Sequence, residues 1–194
     1  MAKKNLIHIV GLLLLMAGLS LLVKGSWISL KAELAAVLLR HSWEQSQAAG
    51  QAVRPWPWAD TWPVGRLLCA RLGIDSIILE GASGAALAFG PGHFLRSGKV
   101  GGDAHTIIAG HRDTSFAFLA HLHTGDNLVL EGGDGCRSYR VEHIQVLSAR
   151  TLNLDPSVPG RLTLITCYPF DSLLPNTPLR YVVTCAELYK DKQV

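Results

Sequence analysis

Three short strings in this chain carry side chains able to break and re-form an acyl bond. In Thr163-Leu164-Ile165-Thr166-Cys167-Tyr168-Pro169, a strand pattern delivers a thiol at its carboxyl end, and Pro169, which has no N–H for a ladder, stops regular pairing. Strand alternation groups Thr163, Ile165 and Cys167 on one face. A cysteine there is either an exposed nucleophile or a small buried hydrophobe. In Ile107-Ile108-Ala109-Gly110-His111-Arg112-Asp113-Thr114, an apolar strand ends in glycine and releases a run of polar groups. Gly110 permits close approach of backbone or substrate, and His111 at that exit is either a general acid and base for a thiol or an ordinary surface histidine. In Pro178-Leu179-Arg180-Tyr181-Val182-Val183-Thr184, an arginine opens a β-branched strand 13 positions after Cys167. Alternation groups Arg180 with Val182 and Thr184, where a permanently charged donor either reaches a developing oxyanion or stays a solvated edge charge.

The elements that must position these groups are β-rich. After Gly65, runs at Arg66–Leu72, Ser76–Glu80, Thr106–Ala109, Asn127–Glu131, Arg137–Leu147, Leu162–Thr166 and Arg180–Glu187 are separated by Gly, Pro, Asp and Asn. Their close spacing predicts a sandwich or closed barrel in place of alternating strands and helices. Gly132-Gly133-Asp134-Gly135 predicts a hairpin turn, and short helical turns are expected at Ala85–Phe89 and Ser115–Leu122. Asp113 is expected to cap the second of these, the alternative being that it orients Arg112 or His111. Thr166 either contacts substrate or simply pairs in its strand.

The amino-terminal part is of another kind. Leu6–Val23 is an apolar run of 18 residues, broken only by His8, Gly11, Gly18 and Ser20, and about 17–25 such residues cross a bilayer core as a helix. No small-x-small cleavage pattern follows it, so an uncleaved anchor is expected in place of a signal peptide. Lys3 and Lys4 before the span place the amino terminus in the cytoplasm and the rest of the chain outside. From Ser26 to Gln47 the pattern is amphipathic, with Leu30, Leu34, Val37 and Leu38 at helical spacing, which predicts a stalk. Pro55, Pro57 and Pro63 then forbid helix, and Trp56, Trp58 and Trp62 read as a clamp on the folded domain, a membrane-interface belt or a partner surface, the clamp being preferred. The expected organisation is a tip and anchor over residues 1–25, a stalk and linker over 26–64, and a β-domain over 65–194.

Charge narrows the function classes. The formal net charge of the 194 residues is +3, but three of the 18 basic residues, Lys3, Lys4 and Lys24, fall in residues 1–24, which hold no acid. That leaves 15 basic against 15 acidic residues in the remainder, with no general excess to displace counterions from a nucleic acid. His121 and His123 lack a third ligand at useful spacing, so no metal site is expected. Cys69, Cys136 and Cys185 lie in or beside β-runs and are expected to be buried thiols, although an oxidising compartment permits one disulfide among them. No G-x-S-x-G elbow and no Ser-His-Gly-Cys string is present, which disfavours an α/β-hydrolase and an L,D-transpeptidase.

The order Gly110-His111-Arg112-Asp113, then Thr163-Leu164-Ile165-Thr166-Cys167, then Arg180 resembles the signature of the sortases, membrane-anchored cysteine transpeptidases, over residues 65–188. With the Arg54-Pro55-Trp56-Pro57-Trp58-Ala59-Asp60 segment, the chain is most similar to the Gram-negative (marine proteobacterial) branch, close to class D. The resemblance implies an eight-stranded β-barrel, one strand more than the runs above. It implies that Cys167 attacks the Thr–Gly (or Thr–Ala) carbonyl of an LPxTG-like sorting signal and forms a thioester. His111 would protonate the departing amine and later deprotonate the incoming one, and Arg180 would hold substrate and stabilise the oxyanion. Ser148–Gly160 and Tyr168–Leu179 would wall the groove, with Thr166 a candidate substrate contact. The implied partners are a protein bearing the sorting signal, an amine acceptor and the inner membrane, with the catalytic domain in the periplasm and no cofactor. Two other readings remain: a cysteine hydrolase that uses water as acceptor, and a membrane-tethered binding module in which Cys167 is structural.

Overall fold

The computed structural model describes residues 2–175 and 177–188; within the first helix, the side chains of residues 2–7, 23, 24, 26, 28 and 29 lie outside that description. The chain divides into two units, Met1–Val37 and Leu38–Val194.

A single helix, α1 (Ala2–Ala49), runs through both the apolar run and the amphipathic segment. In the first unit every described side chain from His8 to Leu22 is exposed. Among the described residues, no helix is long and apolar enough to cross a membrane. Leu6, Ile7 and Val23 of the expected span, and Lys3, Lys4 and Lys24 beside it, have side chains outside the described set.

The last turns of α1 bury a different stripe from the one the apolar pattern predicts. Leu30, Leu34 and Val37 in the first unit are exposed and Leu38 is half-buried, whereas Leu39, Ser42, Trp43 and Ser46 in the second are buried, themselves at helical spacing. Two serines can occupy this stripe because both are hydrogen-bonded: Ser42 Oγ donates to the Val53 carbonyl at 2.6 Å, and Val53 N–H donates to Ser46 Oγ at 2.9 Å. The Pro/Trp segment that follows lies on the β-domain. Trp56 meets Phe89 edge to face at 5.2 Å, Thr61 Oγ1 donates to the Glu80 carbonyl at 2.8 Å, and Ala59 is buried. Trp58 alone of its three tryptophans is exposed.

Eight strands close into a barrel: β1 (Pro63–Cys69), β2 (Ile74–Glu80), β3 (Gly92–His93), β4 (Thr106–Ala109), β5 (Asn127–Gly132), β6 (Gly135–Ser148), β7 (Arg161–Tyr168) and β8 (Leu179–Glu187), in the spatial order β1-β2-β3-β4-β7-β8-β6-β5. Each of the seven expected runs overlaps a strand. The eighth, β3, has two residues, one of them glycine, too short to show any alternation. The first run is shorter than expected: Ala70–Leu72 forms a 3₁₀ turn that ends at Gly73, whose φ of 64° suits glycine. The β5–β6 hairpin pairs Gly132 with Gly135 across Gly133-Asp134, as its residues predict. A short helix α2 (Gly84–Leu87) and a second 3₁₀ turn (Ala117–His121) occupy the two expected helical positions.

The barrel is filled by Leu67, Ile78, Ile108, Leu128, Leu130, Tyr139, Leu162, Leu164 and Val183, with Phe116 and Leu119 from the β4–β5 connection packed on them. Each such side chain contributes about 1.5–3 kcal/mol of burial, so the strands are held in register by their inward residues. All four cysteines are free: Cys69 and Cys185 are buried as expected, but Cys136 is exposed at the start of β6. Burial drives the Cys185 thiol upward, away from any reactive form.

Candidate active site

The inward residues of β7 fix where its outward residues point. Leu162, Leu164 and Thr166 are buried toward the core, which turns Thr163, Ile165 and Cys167 to the outer face. On β8, Val183 and Cys185 point inward and Arg180, Val182 and Thr184 outward. The two strands are antiparallel, with Cys167 paired directly to Arg180. Residues so placed have Cβ atoms about 4.5–5.5 Å apart. Both are half-buried, able to meet a ligand without being fully solvated.

His111 approaches from the other side. Strand β4 is parallel to β7, with Ala109 opposite Ile165, and the Gly110 N–H continues the ladder by donating to the Ile165 carbonyl at 3.1 Å. The same offset carried two residues on puts His111 level with Cys167. Its backbone is held in a tight turn: the His111 N–H donates to Ser115 Oγ at 3.2 Å, and its carbonyl accepts from the Phe116 N–H at 2.8 Å. The ring is left exposed. Gly110 is required here because the Phe116 ring packs onto it; a Cβ at this position would stand 2.6 Å from that ring. Register thus sets Cys167 and Arg180 side by side on the outer face, and the turn that carries His111 leaves β4 on the other side of β7.

Thr166 lies elsewhere. It is only 2 % exposed, and its hydroxyl donates to the Gly110 carbonyl at 2.7 Å. That bond fixes the start of the His111 turn, the framework reading of the two that the sequence leaves open. Asp113 is exposed and, among the described residues, neither caps the following 3₁₀ turn nor bonds Arg112 or His111; that turn starts after Phe116 with no side-chain cap.

Arg180 does not hang free. Its Nη1 donates to the Thr177 carbonyl at 2.5 Å and to the Leu179 carbonyl at 2.9 Å. Arg112, next to His111, donates through Nη2 to the Ser172 and Leu174 carbonyls at 2.6 and 2.7 Å and through Nη1 to Thr177 Oγ1 at 3.2 Å. The sequence singled out neither Arg112 nor Thr177 for this, since their partners lie 60 or more positions away or in a loop without periodicity. Beyond Cys167, Tyr168 stacks on Tyr181 at 6.0 Å and Phe170 meets Tyr181 edge to face at 5.0 Å, bracing the ends of β7 and β8. Burial raises the Tyr181 hydroxyl above its ordinary range.

A groove of about 480 Å³ runs along the outer face of β4 and β7, lined by Phe94, Ile107, Ala109, Leu152, Leu154 and Ile165, with Arg96 also in its wall. Ile165 is two residues before Cys167 on the same face, so the groove leads to the thiol. Its far wall comes from the β6–β7 connection, as expected for Ser148–Gly160. That wall is tied down by His105, whose Nδ1 meets the Asp155 carbonyl at 2.7 Å and whose Nε2 meets Thr163 Oγ1 at 2.8 Å. His121 and His123 lie apart, His123 Nδ1 facing Arg71 at 3.2 Å. Among the described residues, no group of three or more His, Cys, Asp or Glu side chains is arranged to hold a metal ion.

Known proteins share this fold. The sortase-domain profile matches residues 68–188. Sortase D of Bacillus subtilis (strain 168) is 31 % identical over 124 residues, which are 61 % of this chain and 61 % of that protein. The crystal structure of sortase C-1 from Actinomyces oris superimposes with a TM-score of 0.58 at 28 % identity, covering 66 % of this chain and 74 % of that one. The sortase D5 transpeptidase of Clostridium perfringens shares the fold, with a TM-score of 0.62 at 18 % identity over 81 % of this chain and 99 % of its own. A closed eight-stranded barrel matched by this profile over residues 68–188, more than half of the chain, makes the chain a member of the sortase family.

Proposed function

We propose that this chain is a membrane-anchored cysteine transpeptidase that cleaves an LPxTG-like carboxyl-terminal sorting signal and transfers the new acyl group to an amine. The observation that carries the reading is the direct pairing of Cys167 with Arg180, with the turn that carries His111 leaving β4 on the other side of β7. In the first half-reaction, the Cys167 thiolate attacks the scissile carbonyl, and Arg180 neutralises the charge that collects on its oxygen. The C–N bond breaks as the His111 imidazolium gives its proton to the departing amine, leaving a thioester. In the second, an acceptor amine attacks the thioester and His111 takes its proton, expelling the thiolate. Two acyl transfers replace one difficult amide exchange. The largely apolar groove suits an extended peptide with aliphatic side chains, presented along β4 and β7.

The anchor and topology belong to the same proposal. The apolar run Leu6–Val23 and the lysines before it support a single-pass arrangement, with the amino terminus in the cytoplasm, a stalk and linker over 26–64, and the catalytic barrel over 65–194 in the periplasm. The Arg54–Asp60 and Gly110–Thr114 strings support placement in the Gram-negative branch close to class D, and the match to a sortase D bears on the class D part of that reading alone. The test is cleavage of a fluorogenic LPxTG-like peptide by the purified protein, with and without an added amine. Peptide–amine product and a thioester adduct on Cys167 are expected. Acid product alone, at any amine concentration, would make the enzyme a hydrolase, and cleavage by Cys167→Ala would remove the nucleophile.

A further inference from the structure

We propose that Arg112 and Thr177 are positioning residues that hold the Arg180 guanidinium, and set its span from His111, across Cys167. The proposal rests on the assignment of Cys167, His111 and Arg180 as the catalytic groups. Thr177 is the joint: its side-chain oxygen accepts from Arg112, and its main-chain oxygen accepts from Arg180. Thr177 is 8 % exposed, so water competes poorly for either bond. Arg112 also binds the Ser172 and Leu174 carbonyls, so one guanidinium gathers three acceptors of the β7–β8 connection. The planar fork of arginine reaches these spread acceptors from two separate nitrogens, Nη1 and Nη2, whereas the three donors of a lysine ammonium radiate from one point on a flexible stem.

The consequence is mechanical. Arg180 alone is a long side chain at the mouth of a strand, with many rotamers. A donor stabilises a transient oxyanion best when it is already in place before the charge develops. The Thr177 carbonyl supplies that fixed point, but it belongs to a connection, and a connection needs its own anchor. Arg112 is that anchor, and it follows His111 directly in the chain. Imidazole and guanidinium are therefore joined by a continuous path, His111–Arg112···Thr177···Arg180, which bridges the thiol on the side away from the barrel core.

The experiment is a cycle of variants assayed by single-turnover formation of the Cys167 thioester on an LPxTG-like peptide. Its accompaniments are steady-state kcat and KM, thermal melting, and the rate of Cys167 alkylation by iodoacetamide. Thr177→Val keeps the shape and removes the acceptor; Thr177→Ser restores it. We expect Thr177→Val and Arg112→Gln to slow thioester formation roughly 10- to 100-fold, the scale of a small misplacement of a reacting group, with the loss chiefly in kcat. Thr177→Ser should stay within about twofold of the parent, and Arg112→Lys should not rescue. In an Arg180→Ala background, Arg112→Gln should cost less than about twofold more, because the group it positions is gone. Losses that multiply in that background, or single variants as fast as the parent, would overturn the proposal. Since Cys167→Ala tests the catalytic assignment separately, an enzyme that is dead as Cys167→Ala but untouched by Arg112→Gln and Thr177→Val rejects the positioning role alone.

Discussion

Cys167 and Arg180 stand directly across the β7–β8 ladder from each other, on the same outer face of the barrel. Neither residue's position is a matter of loop conformation: each is fixed by strand register, and register by the buried neighbours Leu164, Val183 and Cys185. A slip of one residue would turn Cys167 into the core, so the apolar interior and the geometry of the candidate site are specified together.

Arg180→Ala is expected to slow thioester formation about 10²–10³-fold, the cost of losing one preorganised oxyanion donor. Arg180→Lys should fall between the two, since charge is kept but the fork is not. Alkylation of Cys167 by a small uncharged reagent that develops no oxyanion should change far less. Equal losses in both assays would mean that Arg180 acts on the thiol and not on the substrate.

Gly110→Ala tests the close packing behind the histidine. The added methyl meets the Phe116 ring at 2.6 Å, and Phe116 is fully buried, so the ring must move. Overpacking of this kind typically costs about 1–3 kcal/mol. The His111 carbonyl is bonded to the Phe116 N–H, so the displacement reaches the imidazole as well. A lowered denaturation midpoint with reduced kcat is expected; an unchanged midpoint would refute the packing argument.

Thr166→Val separates a framework role from a substrate contact. Removing the hydroxyl takes a donor from the Gly110 carbonyl in a buried setting, for about 1–3 kcal/mol of stability, while Thr166→Ser should cost little. Denaturant titration gives the first quantity, and KM for the sorting peptide gives the second. A raised KM at unchanged stability would return Thr166 to the substrate.

The barrel's runs and the faces that carry Cys167 and Arg180 are legible in the sequence from short periodicities, while the grouping of His111 with them rests on the resemblance to a family signature. Alternation along 162–168 and 179–187 predicts which side chains share a face, and turn residues mark where strands end. What the sequence hides is set by distant partners. Strand β3 is two residues long and exists because its neighbours β2 and β4 supply the bonds. The buried stripe of α1 includes Ser42 and Ser46, which count as polar until Val53 is seen to satisfy them. Arg112 and Thr177 likewise acquire meaning only when the β7–β8 connection folds back to the turn after β4. Asp113, by contrast, has the type of a cap but sits three residues too early for the turn it was expected to serve.

The same distance between sequence and partner governs Asp75, through which the barrel should respond to acid. Its carboxylate accepts from Arg66 Nε and Nη2 at 2.7 and 2.9 Å on the neighbouring strand, and from Arg40 Nη1 at 3.0 Å on α1. The hydrogen bond from Arg66 is the largest cause that holds its pKa down at about 2, below the usual carboxylate value. A carboxyl that is more acidic folded than unfolded stabilises the protein above its unfolded value of about 3.9, and that contribution is lost as pH falls toward about 2. Asp75→Asn should therefore lower the unfolding free energy at neutral pH by about 1 kcal/mol, a magnitude set by partial exposure of the pair. The gap between parent and variant should narrow from about pH 4 downward and close near pH 2, as measured by denaturant titration across that range. Raising the salt concentration at neutral pH should shrink it too, since both arginines are open to solvent. A gap independent of pH and salt would show that Asp75 contributes by packing and not by charge.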